Sequence, residues 1–114
     1  MKKLILLFAS VSLLACSAEN NEDVLTGDLS IPEIFHGSFQ GVNTGTIVKI
    51  YPTALKIGEK EIKTALTQNF DTINKHYYIT LEDNKSVRLV KSSYRGVTTY
   101  EGSKIILNEP LVEY

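Results

Sequence analysis

Few side chains in this sequence could carry out chemistry near neutral pH. His36 and His76 are its only histidines, and histidine is the side chain whose ordinary pKa falls in that range. Glu33 precedes His36 and Asp71 precedes His76, but there is no HxH or HExxH spacing that would converge on a metal ion. Both histidines therefore read as surface or strand-end residues. Ser38, Ser92, Ser93 and Ser103 lack the G-x-S-x-G setting of an activated nucleophile. No glycine-rich loop precedes a helix, which leaves nucleotide binding without support. Glu59, Glu61, Glu82 and Asp83 fall at turns, where carboxylates are solvated and do not form an acid/base pair. The expectation is a protein with no catalytic residue, no metal ligands and no cofactor.

The tyrosines are more informative. Tyr77, Tyr78, Tyr94, Tyr100 and Tyr114 crowd the C-terminal half, and tyrosine joins apolar area to a hydroxyl at low entropic cost, which suits recognition. Adjacent Tyr77 and Tyr78 must point to opposite faces if they lie on a strand, one into the core and one outward. A binding face made of Tyr78, Arg88, Tyr94, Arg95 and Tyr100 is one reading. The other is that these are the core and girdle aromatics of a β domain with no tryptophan.

Cys16 is the only cysteine, so no intramolecular disulfide can form. Ahead of it, Lys2-Lys3 and the apolar run from Leu4 to Leu14 have the form of a secretory signal peptide. The run is too short for a membrane span, which needs about 20 apolar residues, and Glu19, Glu22 and Asp23 follow closely. Leu13-Leu14-Ala15-Cys16 resembles the lipobox of bacterial lipoproteins. That resemblance implies cleavage before Cys16, a diacylglyceryl group on its sulfur and usually acylation of the new amino terminus. Two or more acyl chains hold a protein stably on a membrane where one is marginal. The competing reading is an ordinary secreted protein with a free thiol. Ser17 is not the Asp that retains lipoproteins in the inner membrane of enteric bacteria, so the resemblance favours the outer membrane, on its periplasmic side or at the cell surface. Residues 17–23 look like the surface-export signals of some Gram-negative groups and equally like a solvated spacer.

These features divide the chain into a cleaved signal peptide (residues 1–15), a lipidated amino terminus with an acidic flexible linker (16–30) and one small domain (31–114). Without residues 1–15, which carry Lys2 and Lys3, 10 basic side chains face 13 acidic ones, a net charge of about −3. No basic face is concentrated enough for nucleic acid. A domain of this size can bury one core and sits near the lower limit of stability.

The domain reads as strands and turns. Strand character runs over 35–40 and 46–51, and Pro52-Thr53 breaks it. The clearest signal is the hairpin 54–57 and 60–63 around Gly58-Glu59. A two-residue loop with glycine first suits a type II′ turn. It sets Lys56 opposite Glu61 on one face and Leu55 opposite Ile62 on the other. Residues 64–75 could be a loop or a single helical turn. Strands follow at 76–81 and 87–91, and apolar matching favours an odd loop or a bulge that pairs Leu81 with Val87 and Ile79 with Leu89. Two more strands run over 97–100 and 104–107, and Pro110 ends the regular structure. About eight short strands with frequent turns and no convincing helix predict an all-β fold, a small antiparallel up-and-down meander forming a closed or partly open barrel.

The stretch Ile31-Pro32-Glu33-Ile34-Phe35-His36-Gly37-Ser38-Phe39 resembles the opening strand of small bacterial lipocalin-like domains, with Phe39 where those carry the Trp of Gly-x-Trp. The resemblance implies a barrel that binds small molecules, although this chain is much shorter than a full lipocalin. The sequence thus points to a membrane-anchored β-barrel binding module for an unknown protein or a small apolar ligand. The alternative is an accessory or inhibitor subunit that docks onto an envelope protein through the Tyr/Arg face. An apolar cavity would favour the first; a filled core with an exposed Tyr/Arg patch would favour the second.

Overall fold

The computed structural model describes residues 24–114. The signal segment, Cys16 and residues 17–23 lie outside the described residues. Nine strands form a single antiparallel sheet: β1 Gly37–Gly41, β2 Ile47–Ile50, β3 Leu55–Ile57, β4 Lys60–Ile62, β5 Thr67–Asp71, β6 His76–Thr80, β7 Lys85–Lys91, β8 Arg95–Glu101 and β9 Lys104–Glu113. Their order is β4-β3-β2-β1-β9-β8-β7-β6-β5. Each strand pairs with its sequence neighbour, except that β4 and β5 do not pair and β1 pairs with β9. The sheet is therefore an up-and-down meander curled into a small open barrel, its gap lying between β4 and β5.

Alternation explains the curl. Phe39, Val48, Ile50, Leu55, Ile62, Tyr77, Ile79, Val87, Leu89, Val97 and Leu111 point inward and are buried, while the residues between them face out, as the two-residue period of a strand requires. Each such side chain contributes about 1.5–3 kcal/mol on burial.

The hairpin β3–β4 has the expected register, with Leu55 opposite Ile62 and Lys56 opposite Glu61. Gly58 has φ +62° and Glu59 is not left-handed, as a type II′ turn demands. The expected charge partner differs, since Glu61 forms its ion pair with Lys63, at 3.7 Å. Between β6 and β7 the principle of apolar matching holds but the register is shifted by two residues. Ile79 lies opposite Val87 and Tyr77 opposite Leu89; the odd loop expected here is present, closed by the Leu81 N–H donating to the Lys85 carbonyl at 2.7 Å, but it is centred one residue earlier, on Asp83, which like Asn84 is left-handed. A two-residue shift leaves every side chain on its own face.

Three expectations need correction. Residues 67–71, expected to be loop or helical turn, form strand β5 along the full length of β6. Its exposed polar residues carry no apolar alternation, because an edge strand can have a wet face. Pro110 does not end the structure. It lies inside β9 opposite Gly96, and its carbonyl accepts the Val42 N–H at 2.9 Å.

The third correction concerns the linker, which stops short of residue 30. Residues 27–31 form a strap: Gly27 N–H donates to Thr53 Oγ1, Asp28 N–H to the Lys63 carbonyl, Leu29 N–H to the Thr53 carbonyl and Ile31 N–H to the Pro52 carbonyl. Ser30 N–H donates to Gln68 Oε1 on β5. With partners at the ends of β2 and β4 and on β5, the strap spans the gap and buries Leu29 and Ile31 in the core.

Candidate functional site

The two ends of the barrel differ. At one, the 3₁₀ turn Glu33–Phe35 inserts Phe35, which meets the Phe70 ring edge-on at 5.8 Å and the Tyr77 ring at 6.1 Å. His36 helps hold this plug, because its Nε2–H donates to the Ile31 carbonyl at 2.7 Å. The Tyr77 hydroxyl donates to Gln68 Oε1 at 2.6 Å, so Gln68 ties the plug's aromatic partner to the Ser30 strap. Burial pushes the Tyr77 hydroxyl up to about 12, since a phenolate there would lose its hydration.

At the other end the interior is not filled. A cavity of about 330 Å³ lies among Ile57, Ile62, Leu81, Val87, Ile106 and Leu107, with Lys60, Lys85, Ser86, Thr99, Tyr100 and Glu101 also lining it. It reaches the far ends of β6 and β8 from Tyr77 and Arg95, which places it opposite the plug. Strand lengths explain the opening. β9 pairs with β8 along most of its length, but β1 accompanies it only at residues 111–113. Residues 104–108 of β9 thus have no strand on their other side, and Ile106 and Leu107 border the cavity there.

What turns β1 away is a residue the sequence did not single out. Glu109 is buried among apolar neighbours, and its Oε1 accepts the backbone N–H groups of Asn43 (2.8 Å) and Thr44 (3.1 Å). The carboxylate holds the exposed β1–β2 turn beside β9 through two backbone donors. Nothing local in the sequence marks it, since its partners are about 65 residues away.

The expected Tyr/Arg face is assembled in part. Cross-strand register puts Asn69, Tyr78, Arg88, Thr98 and Asn108 side by side on the outer surface of β5 to β9. Arg88 Nη2 donates to Thr98 Oγ1 at 3.4 Å, and that hydroxyl donates to Asn108 Oδ1 at 3.0 Å. Tyr78 stands next to Arg88 across β6 and β7, and Tyr100 sits one row along, opposite Ser86; the Tyr78 hydroxyl is the main cause that raises the Arg88 pKa. Tyr94 comes from the β7–β8 turn and lays its ring over Gly96, where a Cβ would stand 2.8 Å from Tyr94 Cε2. Four of the five residues therefore converge. Arg95 does not. It has the inward parity of Val97, and its guanidinium carbon sits 4.2 Å from the centroid of Phe39, a cation–π contact at the plugged end.

The remaining candidates do not come together. His76 stacks edge-on against Tyr78 at 6.0 Å and neighbours Asp71, whose carboxyl is held below its ordinary range chiefly by the Asn74 side chain. Among the described residues no three His, Cys, Asp or Glu side chains are grouped as a metal site would require. No protein-family model, curated protein or solved structure matches the chain.

Proposed function

We propose that this chain is a lipid-anchored envelope protein whose open barrel binds a small apolar molecule, with no catalysis of its own. The observation that carries the reading is the cavity at the unplugged end. Its volume falls at the small end of the range for ligand sites, roughly 300–1,000 Å³. Its lining joins six aliphatic side chains from four strands and the β6–β7 loop to six polar ones. The lipobox-like Leu13-Leu14-Ala15-Cys16 supports the anchor, and residues 17–26 would form the tether between the lipid and the strap. The place of action is the outer membrane, facing either the periplasm or the exterior.

The test uses the full chain extracted from native membranes in detergent. Mass spectrometry of an organic extract should recover a small apolar molecule at about one per barrel. Uncharged N-phenyl-1-naphthylamine should bind saturably, and Leu107→Trp, which fills the cavity, should abolish that binding while leaving the fold intact. Binding of the dye that is unsaturable, or unchanged in Leu107→Trp, would refute the cavity reading. A stoichiometric protein in place of a small molecule would move the assignment to an accessory or inhibitor subunit docking through Tyr78, Arg88, Tyr94 and Tyr100. The anchor is tested separately: Cys16→Ser should leave the membrane fraction and stop incorporating labelled palmitate.

A further inference from the structure

Two hollows meet at the open side of the barrel. Outside the cavity lies a second cleft of about 480 Å³, walled by β4, the connection to β5 (residues 63–66) and the β6–β7 turn. Cavity and cleft share four lining residues, Lys60, Ile62, Leu81 and Lys85, which therefore frame a doorway between them. Both lysines hold inward positions, Lys60 opposite Ile57 on β3 and Lys85 opposite Glu101 on β8. Beyond the doorway, Glu82 and Asp83 line the cleft but not the cavity. Their turn is fixed, since the Leu81 N–H donates to the Lys85 carbonyl and the Gly102 N–H to the Asn84 carbonyl, each at 2.7 Å. Among the described residues the single ion pair is Lys63–Glu61, at 3.7 Å. The two doorway lysines and the two acids of the turn thus have no charged partner in contact.

The order of these groups selects a ligand. From the interior outward come aliphatic side chains, then ammoniums, then carboxylates. Glu101 is the exception: it lines the cavity alone and faces Lys85, which leaves Lys60, with aliphatic Ile57 across from it, as the less compensated cation. One apolar chain suits the cavity, whose volume lies at the small end for ligand sites. A charged group attached to that chain stays out of the aliphatic interior, where it would lose its hydration, and so comes to rest at the doorway or in the cleft. A wholly apolar molecule would use neither set of charges. A plain anion would gain the lysines and stand against Glu82 and Asp83, and a plain cation the reverse. A head bearing both signs, anion inside and cation outside, meets opposite charge at each position.

We propose that the ligand is a single-chain amphiphile with a zwitterionic head. Its chain fills the cavity, its anionic group sits at Lys60 and Lys85 in the doorway, and its amine lies in the cleft against Glu82 and Asp83. This rests on the cavity reading above and names the class of molecule that the cavity takes.

The test is displacement of N-phenyl-1-naphthylamine from the full chain in digitonin by four amphiphiles that share one dodecyl chain. These are dodecylphosphocholine, dodecyl phosphate, dodecyltrimethylammonium and dodecyl maltoside, each below its micellar concentration. Dodecylphosphocholine should displace the dye at a concentration about tenfold lower than any of the others. Lys60→Gln should weaken dodecylphosphocholine and dodecyl phosphate alike. Glu82→Gln combined with Asp83→Asn should weaken dodecylphosphocholine and strengthen dodecyl phosphate. Dodecyl maltoside should compete equally in wild type and variants, which shows that the cavity is intact, and Lys85→Gln replaces Lys60→Gln if it does not. Equal displacement by all four, a singly charged or uncharged best competitor, or an unaltered order in the variants would overturn the zwitterionic head and leave the cavity reading in place. Dye that binds saturably but is displaced by none of the four would overturn it as well, whereas unsaturable dye binding would bring down the cavity reading itself.

Discussion

Tyr77→Phe should stabilise the protein at high pH and destabilise it at neutral pH. The substitution keeps the ring that packs against Phe35 and removes only the hydroxyl that donates to Gln68 at 2.6 Å. At pH 8 the loss is that of one neutral hydrogen bond, about 1 kcal/mol. In the folded protein the hydroxyl's pKa is raised from 10.0 to about 12 by burial. Its contribution is thus fully present below pH 10, where both states are neutral, and is lost as the pH rises through the folded value, because the unfolded chain ionises first. Linkage between these two values removes about 1.4 kcal/mol by roughly pH 11 and on the order of 2 kcal/mol or more beyond it. The loss overtakes the hydrogen bond near pH 11. Urea unfolding of wild type and Tyr77→Phe from pH 8 to 12 should give two stability curves that cross, with the variant the more stable above the crossing. Titration of other groups affects both proteins alike and cancels in the difference. Curves that stay parallel across this range would refute the argument, because they would mean the buried hydroxyl ionises as freely folded as unfolded.

Three further substitutions probe the frame. Phe35→Ala should cost about 3–5 kcal/mol and lower the melting temperature by more than about 12 °C; a drop of only a few degrees would show that the plug is not part of the core. Glu109→Ala strands the Asn43 and Thr44 N–H groups and should cost about 2–4 kcal/mol in urea unfolding, with Glu109→Gln losing roughly half as much because it retains an acceptor; equal losses in the two would contradict the role given to its oxygen. Gly58→Val should cost about 1–2 kcal/mol through backbone conformation alone, since a Cβ there would find its nearest neighbour, Thr46 Cγ2, at a comfortable 3.7 Å. Glu59→Val, at a residue that is not left-handed, is the control, and equal effects at the two positions would exclude the type II′ turn.

Local pattern was enough for the fold class and much of the pairing. The alternation of apolar residues, the Gly58-Glu59 turn and the opposition of Leu55 to Ile62 are properties of adjacent segments. A meander joins adjacent segments, so short-range signals carried most of its topology. The same alternation separated Tyr77 from Tyr78 and sent one to the core and the other outward. The β7–β8 register separates Arg95 from Arg88 in the same way, since it pairs Arg88 with Thr98 on one face and Lys91 with Arg95 on the other.

What the sequence could not disclose depends on closure. β5 is polar because it borders the gap, and nothing in its own residues states that a gap exists. Leu29 read as linker until the strap was seen to need a groove made by Pro52, Thr53, Lys63 and Gln68. Glu109 is an ordinary carboxylate in the chain and a buried acceptor in the fold, because its donors arrive from the far end of the domain. The cavity is decided the same way, by where β1 leaves β9 and how far Phe35 fills the opposite end. Burial and cavity volume are sums over strands distant in sequence, and the cavity takes its shape only once β1 has paired with β9.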